Sequence, residues 1–355
     1  MARIDFGGVE ETVVTRREFS LSRARAVLKQ EQVAVLGYGV QGSAQAANLA
    51  DAGFRVLVGQ RTGTASWERA VRDGWKPGET LFSLEAAAER GTILMLLVSD
   101  AAVRPVWPRI KPFLTAGKAL DLAHGFGLVY QAQTRLIPPP DVDLFMVAPR
   151  GAGASIRRQF QEGVGFNASV AVAQDATGRA ERRCWACGMA IGARSLFPTT
   201  VEKETVGDLT GERGLLVGGL AGVMQAQYDV LRENGFTPSE AFQETVEELT
   251  QSLIRLVDER GMDGLFRACS TTAQRGALDW MPRFRRAVLP TFRALYRSVR
   301  SGREAARVMR LCGRRDYPER VARELDALRD SEMWRAGAAV RALRPGGGSK
   351  GRRSS

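Results

Sequence analysis

Residues 32–42 read Gln32-Val-Ala-Val-Leu-Gly37-Tyr-Gly39-Val-Gln-Gly42, a short apolar run that ends in a glycine-spaced turn. The stretch that follows, SAQAANLADAG, has helical character, and a second apolar run, Arg55-Val-Leu-Val-Gly59, comes next. A GxGxxG at the junction of a strand and a helix predicts the first βαβ unit of a dinucleotide-binding fold. Glycines there let the backbone approach a pyrophosphate, and the helix N-terminus offers N–H donors and a positive dipole. Gly37, Tyr38, Gly39, Val40, Gln41 and Gly42 are therefore the expected cofactor cradle.

The end of the second strand is where NAD and NADP are told apart. A carboxylate binds the ribose 2′-hydroxyl, whereas arginine and hydroxyls suit a 2′-phosphate. The segment Gly59-Gln-Arg61-Thr-Gly-Thr64-Ala-Ser66 has one cation, three hydroxyls and no acid. Arg61, Thr64 and Ser66 thus point to NADPH.

Working outward, strands are expected at 92–98 before Ser99-Asp100, at 119–122 before Ala123-His-Gly-Phe126, at 142–147 before Ala148-Pro-Arg150-Gly, and near 168–173. Each ends in a polar or glycine-rich turn, at the edge where such sheets bind ligands. Ser99 and Asp100 join the expected cofactor residues, and so does His124, the only histidine of the chain. A helix near 176–190 closes an α/β domain at about residue 198. Beyond it the pattern is helical, with candidates near 203–234, 238–260, 262–276 and 283–300, and more after 316.

Composition narrows the function. The 355 residues are 44% hydrophobic and 25% charged, as in an ordinary globular protein, and leave room for two domains. No apolar run approaches the ~20 residues of a membrane span, and the first residues carry no apolar signal core, so a cytoplasmic location is expected. The net charge of +12 is spread along the chain, with only six lysines among 51 basic residues and no nucleic-acid motif, so it reads as arginine-rich drift. Cys184-Trp-Ala-Cys187 is formally a CxxC but has no second pair for zinc and falls in a helical stretch; buried thiols are expected.

Two carboxylate pairs stand out in this basic chain: Asp208 with Glu212, and Glu244 with Glu248. Residues at i and i+4 share one helix face, and like charges there repel. A hard divalent cation such as Mg²⁺, which takes oxygen ligands, would remove that penalty.

GYGVQG, DLAHGF, VDLFMVAPRGAG, the acid pairs and CSTTAQRGALDW together resemble ketol-acid reductoisomerase, the acetohydroxyacid isomeroreductase family of branched-chain amino acid synthesis. The likeness runs from about residue 1 to Pro345. WERAVRDGWKPGETLF, AQYDVLRENGFTPSEAF and ETVEELTQSL are most similar to the subgroup of fungi and some bacteria. The resemblance implies an α/β Rossmann domain over 1–198, an all-α, knotted domain over 199–345 for metal, substrate and dimerisation, and a disordered basic tail over 346–355. It also implies NADPH, two Mg²⁺ ions and a homodimer or larger assembly. Asp208 and Glu212 would be metal ligands from one subunit, and Glu244 and Glu248 ligands from its partner; Ser270 would touch the substrate carboxylate. Glu247, one position off that face, reads as surface. The implied reaction is alkyl migration within a 2-hydroxy-3-keto acid of the 2-acetolactate type, then hydride transfer to a 2,3-dihydroxy acid. Glu212 and His124 are the implied proton-handling residues, with Arg150 beside them.

The chain departs from the family pattern at Arg150, where a lysine is usual. Arginine keeps the charge but is planar, bulkier and effectively never deprotonated. Full isomeroreductase activity, a paralogue that only reduces a 2-keto acid, and a catalytically impaired NADPH-binding protein are the three readings this admits. Milder departures are Ala123 for a serine and Arg194-Ser195-Leu196 for a glycine-rich stretch.

Overall fold

The computed structural model describes residues 1–344; the expected tail over 346–355 lies outside the described residues. The chain divides into two compact units, Met1–Gly207 with Glu304–Gly313, and Asp208–Arg303 with the residues from Arg314 on. The break falls after Gly207 rather than at 198. The first turns of the helix Val201–Gly211 pack Val201 into the α/β core, and a Cβ on Gly125 would collide with Val201 and Thr205.

The first unit is built on ten strands: β1 (Ala2–Asp5), β2 (Glu10–Thr15), β3 (Val33–Leu36), β4 (Val56–Gly59), β5 (Leu81–Phe82), β6 (Ile93–Leu96), β7 (Ala119–Leu122), β8 (Asp143–Pro149), β9 (Phe166–Gln174) and β10 (Ala193–Pro198). Their order is β1-β2-β10-β9-β8-β7-β6-β3-β4-β5. From β8 through β7, β6, β3 and β4 to β5 all neighbours are parallel; β9 runs antiparallel to β8. β3, β6 and β7 are buried at every position, as strands covered by helices on both faces must be. The chain leaves β3 toward β4 on one side and returns to β6 on the other, so the ends of β3 and β6 form the topological switch point.

The six expected strands are all present. β1, β2, β5 and β10 are additions that sequence reading missed. β5 is only two residues long, β1 is largely exposed, and β2, its hairpin partner, buries only Val13 and Val14, so none of the three shows a buried-strand pattern.

Buried charge ties this unit together. Arg183 donates from Nη1 to Asp143 Oδ2 at 2.8 Å and to Gly117 O at 3.0 Å, and from Nε to Glu31 Oε1 at 2.9 Å. Asp143 in turn accepts from the backbone N–H groups of Ala176 and Thr177. Asp121, in β7, is 1% exposed and accepts from Val147 N at 3.2 Å, and burial raises its pKa well above the ordinary range. Cys184 and Cys187 lie in the helix Ala180–Ala190, both buried, and burial together with Asp121 disfavours their thiolates. The CxxC is core packing, as expected.

The second unit is helical, but its breaks fall differently from expectation. The candidate helix 203–234 is interrupted at Glu212–Leu216 by a π-helical turn with non-helical Gly214 (φ −85°, ψ −128°). Four further glycines (211, 218, 219 and 222) flank that turn and lower its helical propensity. The break after 260 is present: Gly261 adopts φ +72°, which suits glycine. The expected gap between 276 and 283 is absent, because Thr271–Arg300 is one helix through Pro282 and Pro290. Each proline removes one backbone bond. Residues around both are largely exposed, so water can satisfy the freed carbonyls.

Candidate active site

Gly37 leaves β3 with φ +107°, and a Cβ there would lie 2.7 Å from Leu97 O, so the turn requires glycine. Gly39 caps the helix Val40–Asp51 without a side-chain bond, which leaves the first N–H groups of that helix to an anion. A Cβ on Gly42 would collide with Gly37 O; the third glycine serves the close packing of helix on loop. A cleft of about 340 Å³ opens at the switch point, lined by Gly37, Tyr38 and Gly39, by Arg61, Thr64 and Ser66, and by Ser99 among others. Seven of the expected cofactor residues are thus brought together. This cradle fits a dinucleotide: it is glycine-walled, cationic on one side and open at a helix N-terminus.

Val40 and Gln41 do not line this cleft and also meet the turn after β8. Val40 O would meet a Cβ on Gly153, and Gln41 Nε2 donates to Gly151 O at 3.0 Å, joining the phosphate loop to the turn after β8. Asp100 opens the helix Asp100–Ile110 and does not line the cleft. Thr64 is occupied: its hydroxyl donates to Arg61 O at 2.8 Å and accepts from Trp67 N, capping the helix Ala65–Arg72. That leaves the Arg61 guanidinium and the Ser66 hydroxyl as the freer polar groups on that wall of the cleft.

His124 follows β7 at the carboxyl edge, half-buried and stacked on Phe126 with ring centroids 6.4 Å apart. It does not line the 340 Å³ cleft. Arg150 follows β8 at the same edge; its Nη2 donates to the buried Ser169 Oγ at 2.7 Å, and its N–H to Asn167 O at 2.8 Å. With Arg194, Gln159 and Asn167 it lines a second, polar cleft of about 280 Å³. Two of the departures from the family pattern therefore meet in one place.

In the helical unit, Asp208 lies in Val201–Gly211 and Glu212 opens the π turn that follows. Glu244 sits within a second π turn, Gln243–Glu247, and Glu248 between it and a third, Leu249–Leu253. π turns are rare and frequent at functional sites, so their coincidence with both acid pairs is an independent mark on them. Glu212, Glu244 and Glu248 are exposed. Among the described residues no group of three or more His, Cys, Asp or Glu side chains could hold a metal within this one chain. Each pair offers hard oxygen donors and fits as half of a cation site. Ser270 caps Thr271–Arg300, accepting from Ala273 N at 3.3 Å, which leaves its O–H free to donate. Glu247 is not simply surface: it is bound by Arg344 through two nitrogens, which holds its carboxyl below the usual glutamate range.

The family is decided by the extent of its match. The acetohydroxy acid isomeroreductase NADPH-binding domain matches residues 27–196, and the ketol-acid reductoisomerase C-terminal domain matches residues 201–346. The chain belongs to the ketol-acid reductoisomerase family. As a ketol-acid reductoisomerase it is an oxidoreductase of branched-chain amino acid biosynthesis that binds a nicotinamide cofactor and acts on a small molecule. A ketol-acid reductoisomerase (NAD(+)) of Desulfosudis oleivorans is 60% identical over 97% of this chain and 98% of its own length. A mitochondrial ketol-acid reductoisomerase of Neurospora crassa is 50% identical over 96% and 85%. The solved structure of an NADH-preferring ketol-acid reductoisomerase from an uncultured archaeon superposes with a TM-score of 0.83, at 30% identity over 94% of this chain and 99% of its own. Among the described residues no helix is long and apolar enough to cross a membrane.

Proposed function

We propose that this reductoisomerase carries out both steps, alkyl migration and reduction, on a 2-acetolactate-type substrate, with NADPH and two Mg²⁺ ions. The observation that carries the reading is that a π-helical turn takes in one acid of each pair, Glu212 and Glu244. When bound, the metals supply Lewis-acid polarisation of the ketol oxygens and the dinucleotide supplies hydride.

The chain's own residues do the rest. Asp208, Glu212, Glu244 and Glu248 hold the cations, and Glu212 also takes and returns the hydroxyl proton. Ser270 donates its O–H to the substrate carboxylate. Arg150 keeps a fixed positive charge near the substrate oxygens, and His124 orients the nicotinamide or relays a proton. Both acid pairs of one chain are used only if a second copy completes each site, so a homodimer is the proposed minimum. Exposed Leu215, Leu216 and Val217 supply apolar surface for that association. A reducing compartment, the cytoplasm, suits four free cysteines.

NADPH is favoured by Arg61 and by the lack of any acid in 59–66. NADH is the second reading, favoured by the NAD(+) designation of the Desulfosudis relative. Dissociation constants for the two, with Arg61→Ala weakening only NADPH, decide between them.

The deciding assay compares acetolactate with the already rearranged 3-hydroxy-2-keto acid, each with and without Mg²⁺. Mg²⁺-dependent oxidation of the cofactor with both supports the proposal. Turnover of the rearranged acid alone would replace it with a plain keto-acid reductase.

A further inference from the structure

The glycine loop has a rear side as well as a cofactor side. Arg69, in the helix Ala65–Arg72, reaches that rear side and donates from Nη2 to Tyr38 O, and to Gly39 O at 3.2 Å. Its guanidinium also lies over the Tyr38 ring, 5.3 Å from the centroid. That ring is 1% exposed and is pinned at its far end: Tyr38 Oη donates to Asp73 Oδ2 at 2.8 Å and accepts from Trp75 Nε1 at 2.9 Å. Gly39 O is held further by Ser43 Oγ at 2.8 Å.

In a trans peptide the C=O and the following N–H point in opposite directions, and among the described residues no peptide bond is cis. Anchoring Tyr38 O therefore fixes the N–H of Gly39, and anchoring Gly39 O fixes the N–H of Val40. Among the described residues neither N–H makes a hydrogen bond. Each is turned away from the carbonyl oxygen that Arg69 holds, and Gly39, with Gly37, lines the 340 Å³ cleft.

We propose that Arg69, braced by Tyr38, Asp73 and Trp75, is a positioning residue for the cofactor pyrophosphate. It holds two loop carbonyls to the rear so that two N–H donors are presented to the anion before it arrives. The inference rests on reading the glycine loop as the pyrophosphate site. Its charge adds to the field at the loop without touching the ligand. A preorganised donor pair costs no reorientation on binding, which is where affinity is gained.

The test is titration of the full-length protein with the reduced dinucleotide, followed by fluorescence, alongside the thermal midpoint without ligand. Arg69→Ala is expected to raise Kd about tenfold, as loss of a charged hydrogen bond does, with the midpoint within about 2 °C of wild type. Arg69→Lys, which retains one donor and the charge, is expected to recover part of that loss. Trp75→Phe keeps an aromatic ring but removes one of the two hydrogen bonds that pin Tyr38 Oη, and is expected to raise Kd about threefold. Unchanged Kd in Arg69→Ala and Trp75→Phe, or a Kd that rises only in step with a falling midpoint, overturns the proposal. Absence of dinucleotide binding by wild type would instead overturn the reading of the loop itself.

Discussion

The guanidinium of Arg150 is bonded to the buried hydroxyl of Ser169, 2.7 Å away across the β8–β9 pair. One nitrogen of the fork is thus committed to the scaffold, and the others are left for the cleft. Arg150→Lys keeps a charge but loses the fork, and is expected to hold turnover of acetolactate within about tenfold of wild type. Arg150→Ala is expected to lower it by about 10²-fold or more, the scale for removing a preorganised charge. Steady-state kinetics on acetolactate and on the rearranged acid check both; equal activity of Ala and wild type would remove Arg150 from the reaction.

The two acid pairs make a sharper prediction about assembly. Asp208→Asn and Glu244→Gln should each abolish Mg²⁺-dependent turnover while leaving dinucleotide binding intact. If each site takes one pair from each of two copies, dissociating and reassociating the two inactive variants as a mixture restores some sites. Random dimers would regain about a quarter of wild-type activity, since half are mixed and each of those has one intact site. No recovery in the mixture would show that both pairs act within one chain.

Arg183 carries a structural prediction. Its side chain and those of Glu31 and Asp143 are 4%, 9% and 0% exposed. Arg183→Met leaves two buried carboxylates without their cation, a change that costs about 3–5 kcal/mol. Chemical denaturation should show a lower midpoint, and activity should be lost only as the protein unfolds.

Asp121 predicts a pH dependence. Burial holds its folded-state pKa well above the ordinary value of 3.8. Its contribution is therefore full below pH 3.8 and is lost as pH rises toward the folded value, because only the unfolded state releases the proton. Asp121→Asn keeps the acceptor for Val147 N and cannot ionise. Thermal midpoints between pH 5 and 8 should fall less steeply in that variant, measured at constant ionic strength; parallel curves for the two proteins would contradict the assignment.

Much of the α/β unit was legible because its signals are local. Gly37, Gly39 and Gly42 sit at fixed spacing after an apolar strand, and β3, β4, β6 and β7 are fully buried runs, so pattern and burial coincide. The Arg69–Tyr38 brace was not legible, since it joins residues 31 apart that have no motif of their own. Nor was the Arg183 network, whose partners lie 152 and 40 residues away. In the helical unit the acid spacing was readable, but π turns have no sequence signature beside an ordinary amphipathic pattern. Thr271–Arg300 was missed because proline usually ends a helix, and exposure here removes part of that cost.

The π turns bear on how this enzyme tolerates insertions and deletions. A single π turn is what an α-helix becomes when it absorbs one extra residue without breaking. Removing one residue from Leu249–Leu253 would let that segment relax to an ordinary α-helix and leave the residues beyond it facing as before. Glu244 and Glu248 lie ahead of that point, so their pairing and the approach to Ser270 would both survive. A deletion between Glu244 and Glu248 would bring them from i,i+4 to i,i+3, a spacing that still shares one helix face. The loss of one residue is thus absorbed at either turn, whereas in a regular α-helical stretch it would rotate everything beyond it by about 100°.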